Sequence, residues 1–241
     1  MKYALILGAS GDIGRACAKA LAEDGWSLYC HYYHHKERVV ELNEELRQLY
    51  PKQDFFSVGF DMTHETSLEP LLNQLFQVDS IIFANGKTVY KLLTDTTSQE
   101  IDELWQLMIK TPMCMCQALQ SKLSHQHQGR IIFIGSVYGL SGSSMEVAYS
   151  TVKGAQQSFA KAYAQEVSSL GITVNVVAPG AVNTQMNANW TDEEKACLLA
   201  EIPMRRMAEP KEVAQVVRFL VKEEAGYITG TTIPITGGWK I

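Results

Sequence analysis

Apolar and polar residues alternate in blocks along almost the whole chain. Short runs dominated by aliphatic and aromatic residues recur at Tyr3–Leu7, Ser27–Tyr32, Phe55–Phe60, Ser80–Ala84, Arg130–Gly135, Thr173–Ala178 and Thr232–Thr236. Runs of this length, with little internal polarity, suit strands buried on both faces. Between them, apolar positions three and four apart predict helices near Ile13–Glu23, Glu37–Leu49, Thr66–Phe76, Ile101–Leu123, Val147–Ser168 and Lys211–Lys222. Strand and helix in strict alternation predict an α/β domain: a doubly wound parallel sheet of about seven strands with helices on both faces. No repeat, low-complexity tract or Pro/Gly/Ser-rich linker interrupts the pattern, so residues 1–241 are expected to form one domain. The least regular part, Val182–Met207, is long enough for a lid of one or two short helices.

Composition narrows the function classes. With 241 residues, 46% apolar and 20% charged, the chain has the make-up of a soluble globule with a full core. A net charge of −5 argues against a nucleic-acid binder. No apolar run approaches the ~20 residues of a membrane span, and the N-terminus runs into a turn motif instead of a leader cleavage site. The five cysteines, Cys17, Cys30, Cys114, Cys116 and Cys197, are odd in number and contain no C-x-x-C pair. They are expected to be reduced thiols of a cytoplasmic protein, with neither a disulfide framework nor a metal site.

The candidate chemistry sits at strand ends. The first strand runs into Gly8, Ser10, Gly11, Ile13 and Gly14 and then a helix, a setting in which glycines let backbone approach a pyrophosphate at a helix N-terminus. Its place after the first strand resembles the glycine-rich turn of a dinucleotide-binding unit, the alternative being a tight turn with no ligand. Asp12, inside that turn, would repel a pyrophosphate unless it caps the helix or faces solvent. The second strand ends at Tyr32, where a unit selecting NAD would carry Asp or Glu, and His34, His35 and Lys36 follow. That favours NADP(H), whose 2′-phosphate Lys36 would welcome. Asp61, followed by Met62, would accept from an adenine amino group or cap the following helix. Asn85-Gly86 marks close backbone approach to a ligand. Ser136 follows the fifth strand, and Tyr149 and Lys153, four apart, share a helical face. A hydroxyl, a phenol and an ammonium on one pocket suit reversible proton transfer to a ketone oxygen. An ammonium ~4 Å from the phenol contributes roughly 4 kcal/mol at an effective dielectric of ~20, enough to lower a pKa of ~10 by a unit or two. Tyr138 and Glu146 are substrate-facing candidates. Glu146 stands three residues before Tyr149 with no Arg or Lys in Leu140–Tyr149 to neutralise it, so it would welcome a cationic amine.

Taken together, these motifs, with Pro179, Gly180, Val182 and Thr184 and the closing T-G-G-W run, resemble a short-chain dehydrogenase/reductase over essentially the full length. Within that family Gly171–Gly180, Tyr227–Gly230 and the run from Arg206 resemble 3-oxoacyl-acyl-carrier-protein reductases. The stretches M-E-V-A-Y, K-G-A-Q and G-G-W also resemble the reductases of the 5-aminopentanone group on elongation factor P. The resemblance implies an NADPH-dependent oxidoreductase reducing a ketone to a secondary alcohol, either small or carried on acyl carrier protein or elongation factor P. It implies Tyr149 as proton donor, Ser136 as stabiliser of the carbonyl oxygen, and Lys153 as both holder of the nicotinamide ribose and acidifier of Tyr149. Gly8, Ser10, Ile13, Asp61, Val182 and Thr184 fall at cofactor-contacting positions. It also implies a homo-oligomer, a tetramer, paired through the two long helices. The chain departs from the family pattern at Leu7, Asp12 and Ala84, and Met108 stands where the family places a fourth catalytic residue, an Asn. Basic residues that dock acyl carrier protein in some relatives fall at His127 and Leu170. A non-catalytic NADP(H)-binding regulator is the rival reading, although such a protein has no need of Ser136, Tyr149 and Lys153 together.

Overall fold

In the computed structural model, residues 1–64, 68–185 and 190–240 are described. Seven strands form one parallel sheet: β1 (Tyr3–Leu7), β2 (Ser27–Tyr32), β3 (Phe55–Gly59), β4 (Ser80–Phe83), β5 (Arg130–Ile134), β6 (Thr173–Pro179) and β7 (Thr232–Ile235). Their order is β3-β2-β1-β4-β5-β6-β7, with every neighbouring pair parallel. The chain winds outward from β1 in one direction, then returns and winds outward from β4 in the other. The crevice between the carboxyl ends of β1 and β4 is therefore the topological switch point, where open α/β sheets bind ligands.

Side chains alternate across the sheet and build a core on each face. Ala4 and Ile6, Leu28 and Cys30, and Ile132 and Ile134 belong to one core, with α1 (Asp12–Glu23), α2 (Lys36–Leu49) and α9 (Pro210–Leu220) packed over it. Leu5 and Leu7, Tyr29, and Ile131 and Phe133 belong to the other, beneath α5 (Thr111–Ser124) and α7 (Val147–Val167). With both faces covered, each central strand has no polar side to show, which is why the strands appear as unbroken apolar runs.

Two predicted helices differ from expectation. The described part of Thr66–Phe76 holds a single turn, α3 (Glu69–Leu72); Thr66 and Ser67 lie outside the described residues. Leu71 and Leu75 are buried as the spacing implied, and Phe76, beyond the helix, meets Tyr3 edge-on at 4.8 Å. The long helix over Ile101–Leu123 is divided into α4 (Ser98–Trp105), a π-helical turn (Gln106–Lys110) and α5. Pro112 has no amide to offer the Met108 carbonyl, so the ladder shifts register there. Two buried side-chain amides take up freed carbonyls: Gln156 Nε2 donates to Met108 O at 3.1 Å, and Asn85 Nδ2 to Leu107 O at 2.9 Å. Within 182–207, the described residues form a bridge of Val182 to Ala208 and the capped helix α8 (Asp192–Glu201).

Candidate active site

The dinucleotide turn is held from several sides. Gly8 has φ +77°, and a Cβ there would lie 2.8 Å from both Ala84 O and Asn85 N, the backbone leaving β4. A Cβ at Gly14 would stand 2.2 Å from Gly8 O, so α1 can start against the turn only without one. Gly11 precedes α1 with no side-chain cap, leaving the first amides of that helix open to an anion. Asp12 is accounted for by its partners. It accepts from Arg38 Nη2 at 2.8 Å and from the Gln185 amide at 2.7 Å, tying the turn to α2 and to the segment after β6. Asp61 accepts from both the amide and the hydroxyl of Thr63, at 2.8 and 2.7 Å, and it also engages the Tyr33 phenol. Met62 is buried, and its carbonyl accepts from Thr111. Lys36 opens α2 exposed, and Ser10 and Ile13 are half-buried at the turn. At the far end Gly180 pairs with Ile235 and Val137 donates to Pro179 O at 2.8 Å; Val182 is buried and Thr184 half-buried beyond them.

These features fit a dinucleotide. The cradle at Gly8 has no room for a side chain, a helix N-terminus faces it, and buried Asn85 keeps its Oδ1 without a partner. Among the described residues no cluster of His, Cys, Asp or Glu could hold a metal ion.

Ser136, Tyr149 and Lys153 come together beside this cradle. Ser136 follows β5 and is 8% exposed; its Oγ accepts from the Tyr138 amide at 3.1 Å, which leaves its own proton free to donate. Tyr149, half-buried on the first turn of α7, hydrogen-bonds Ser136. Lys153 is 3% exposed, donates to Ile134 O at 2.7 Å and stands 5.6 Å from the centre of the Tyr149 ring. A Cβ at Gly86 would lie 3.9 Å from Lys153 Nζ and 3.6 Å from Met108 Sδ, so Met108 is packed beneath the same pocket.

The electrostatics correct one expectation. Burial outweighs the acidification expected of Lys153: it pushes the Tyr149 phenol up to about 12, offset in part by the Ser136 hydrogen bond and reinforced by Glu146 and Tyr138. Burial alone pulls Lys153 down to about 7. Both groups lose water, and desolvation penalises the charged form of each.

Glu146 stands at the N-cap position of α7 without a side-chain cap bond; its carboxylate accepts from Thr88 Oγ1 at 2.7 Å and from Ser143 Oγ at 3.4 Å. Tyr138 stacks edge-on with Trp239 at 5.8 Å, and the Lys240 ammonium lies 5.0 Å from each ring. The returning C-terminus thus sets one cation, Lys240, against the Tyr138 and Trp239 rings. Thr88 and Lys240 escaped the sequence reading because only the tertiary fold brings them here. Arg130, three residues along the chain from His127, is buried at 4% and bonded to the carbonyls of Gly129 and Lys222, so it presents no surface charge.

A family model described as enoyl-(acyl carrier protein) reductase matches residues 8–240. An uncharacterized oxidoreductase of Bacillus subtilis, YmfI, is 37% identical over 239 residues, covering 99% of this chain and 98% of that protein. The 3-oxoacyl-[acyl-carrier-protein] reductase FabG of Haemophilus influenzae is 34% identical over 241 residues, covering 98% and 97%. Among solved structures, the angucycline C-6 ketoreductase LanV with bound NADP superposes with a TM-score of 0.92 at 27% identity, covering 99% of this chain and 95% of that one.

Proposed function

We propose a specific reaction for this chain from one established premise: it belongs to the short-chain dehydrogenase/reductase family, the nicotinamide-dependent oxidoreductases. The reaction is the NADPH-dependent reduction of a ketone to a secondary alcohol, with Ser136, Tyr149 and Lys153 as catalytic residues. The observation that carries it is the buried Lys153 ammonium, set between Gly86 and the Tyr149 ring where β5 ends.

When bound, NADPH supplies the hydride. Tyr149, pushed up to about 12, stays protonated at neutral pH and is the group able to donate to the carbonyl oxygen. Ser136 donates to the same oxygen and stabilises its developing charge. A protonated Lys153, its Nζ 5.6 Å from the centre of the Tyr149 ring, favours the phenolate left behind through Coulomb attraction. Preference for NADPH rests on Tyr32 standing where an acid would exclude a 2′-phosphate, with Lys36 free in solvent beyond it. The segment 182–207 we assign as a substrate lid.

A 3-oxoacyl group is the leading substrate class, following the resemblance to the FabG reductases. A second reading, an amino ketone such as the 5-aminopentanone group on elongation factor P, is favoured by the Glu146 carboxylate near Tyr149 and Tyr138. The test is NADPH and NADH oxidation against a panel holding a β-ketoacyl thioester and an amino ketone. The proposal expects turnover of at least one ketone, with NADPH favoured at least tenfold in kcat/KM. Dinucleotide binding with no turnover of any ketone would instead support a non-catalytic binder.

A further inference from the structure

His31 sits in β2 at 4% exposure, and the mechanism above gives it no part. Both ring nitrogens are engaged. Nδ1 lies 3.1 Å from the Gly8 amide nitrogen, and Nε2 lies 2.8 Å from Phe60 O, just past β3. A carbonyl can only accept, so Nε2 carries the proton; an amide can only donate, so Nδ1 is bare. One neutral tautomer satisfies both bonds, and a second ring proton would face the Gly8 N–H.

The residue so held is the first of the dinucleotide turn. Gly8 is already confined by the backbone of Ala84 and Asn85 on one side and by Gly14 on another. The next amide, Ala9, donates to the His31 carbonyl at 3.0 Å, so side chain and backbone of His31 together grip two successive turn residues. The charged group facing the ring is Asp61, itself engaged by Thr63 and Tyr33 and 3.9 Å from His64. We propose that His31 is a positioning residue for the dinucleotide: its bare Nδ1 fixes the Gly8 amide, and its Nε2–H anchors the ring to the end of β3. It touches no reacting atom; it sets the path of the backbone that faces the pyrophosphate. Burial, opposed in part by the Phe60 hydrogen bond and Asp61, keeps its pKa down at about 4, so the neutral ring persists through the physiological range.

The inference rests on the dinucleotide reading of the Gly8–Gly14 turn, and the experiment separates the two. NADPH binding is titrated by fluorescence for the wild type, His31→Ala and His31→Asn, with melting temperatures measured alongside. Asn can present an oxygen near the place of Nδ1, whereas Ala leaves the Gly8 amide without an acceptor. The expected result is a dissociation constant raised at least tenfold by Ala and largely restored by Asn. A folded Ala variant that binds like the wild type overturns the inference, as does a folded Asn variant no better than Ala. A wild type that binds neither NADPH nor NADH defeats the dinucleotide reading and the inference with it. Should His31→Ala fail to fold, nitrogen-15 histidine spectra of the wild type decide: a bare Nδ1 and protonated Nε2, unchanged from pH 8 to 5.5 and shifted at Nδ1 by NADPH, support it. A protonated Nδ1, or an Nδ1 resonance indifferent to NADPH, overturns it.

Discussion

Replacing Gly8 with Ala is a quantitative test of the cradle. Two costs follow from the structure. The backbone at φ +77° carries about 1–2 kcal/mol of strain for any residue with a Cβ. The added carbon also lies 2.8 Å from Ala84 O and Asn85 N, main-chain atoms that can yield only by shifting β4 or the turn, at about 1–3 kcal/mol. The total is about 2–5 kcal/mol, and a chain of this size loses about 2 °C of melting temperature per kcal/mol, so a fall of about 4–10 °C is expected. Gly25 provides the control. Its φ is +87°, yet nothing lies within 4 Å of a Cβ there, and it sits between α1 and β2 at the opposite end of the sheet. Gly25→Ala should cost only the strain, about 1–2 kcal/mol or 2–4 °C. Scanning fluorimetry reads the first quantity and NADPH titration the second: Gly8→Ala should weaken binding at least tenfold and Gly25→Ala less than twofold. Equal melting losses, or a Gly8→Ala variant of normal affinity, would refute the claim that β4 backbone closes against this turn.

Three other outcomes follow. His31 has a folded pKa of about 4 against an ordinary 6.5, so its neutral form favours the fold; that stability is whole above pH 6.5 and falls away as pH drops toward 4, by about 3 kcal/mol, which denaturant titrations at pH 7 and 4.5 would read and which His31→Asn should flatten. Ile101 and Trp105 on α4 and Met113 on α5 are 40%, 47% and 43% exposed, an apolar face that expects a homo-oligomer by light scattering, dispersed by Trp105→Glu; a wild-type monomer at micromolar concentration would contradict it. Glu146→Gln should raise KM for an amino ketone more than tenfold and leave an uncharged β-keto ester nearly unaffected if Glu146 binds an ammonium; equal effects on both substrates would return it to its bonds with Thr88 and Ser143.

The strands were legible because a parallel sheet covered on both faces leaves each strand a plain apolar run with little else to mimic it. The meeting of Ser136, Tyr149 and Lys153 was legible for the same reason: a strand end and one helical face already bring the three close. What escaped the sequence depends on partners distant in the chain or on a hydrogen-bond register that leaves no periodic trace. Asp12 looked misplaced until Arg38 and Gln185 appeared beside it. The π turn at Met108 keeps helical spacing on both sides and betrays itself only through Pro112 and the amides of Asn85 and Gln156. His31 passed as one more residue of an apolar strand. The direction of the Tyr149 shift was missed because charge proximity was weighed from sequence while the burial opposing it could be known only from the fold.

The central claim is that Tyr149 delivers the proton to the ketone oxygen, and Tyr149→Phe tests it most directly. The substitution removes one hydroxyl from a half-buried ring and leaves Lys153 on Ile134 O and the glycine cradle untouched. On the best ketone of the panel, kcat should fall by at least a hundredfold while the NADPH dissociation constant stays within a few-fold. A Phe variant that keeps more than a tenth of wild-type turnover would contradict the assignment.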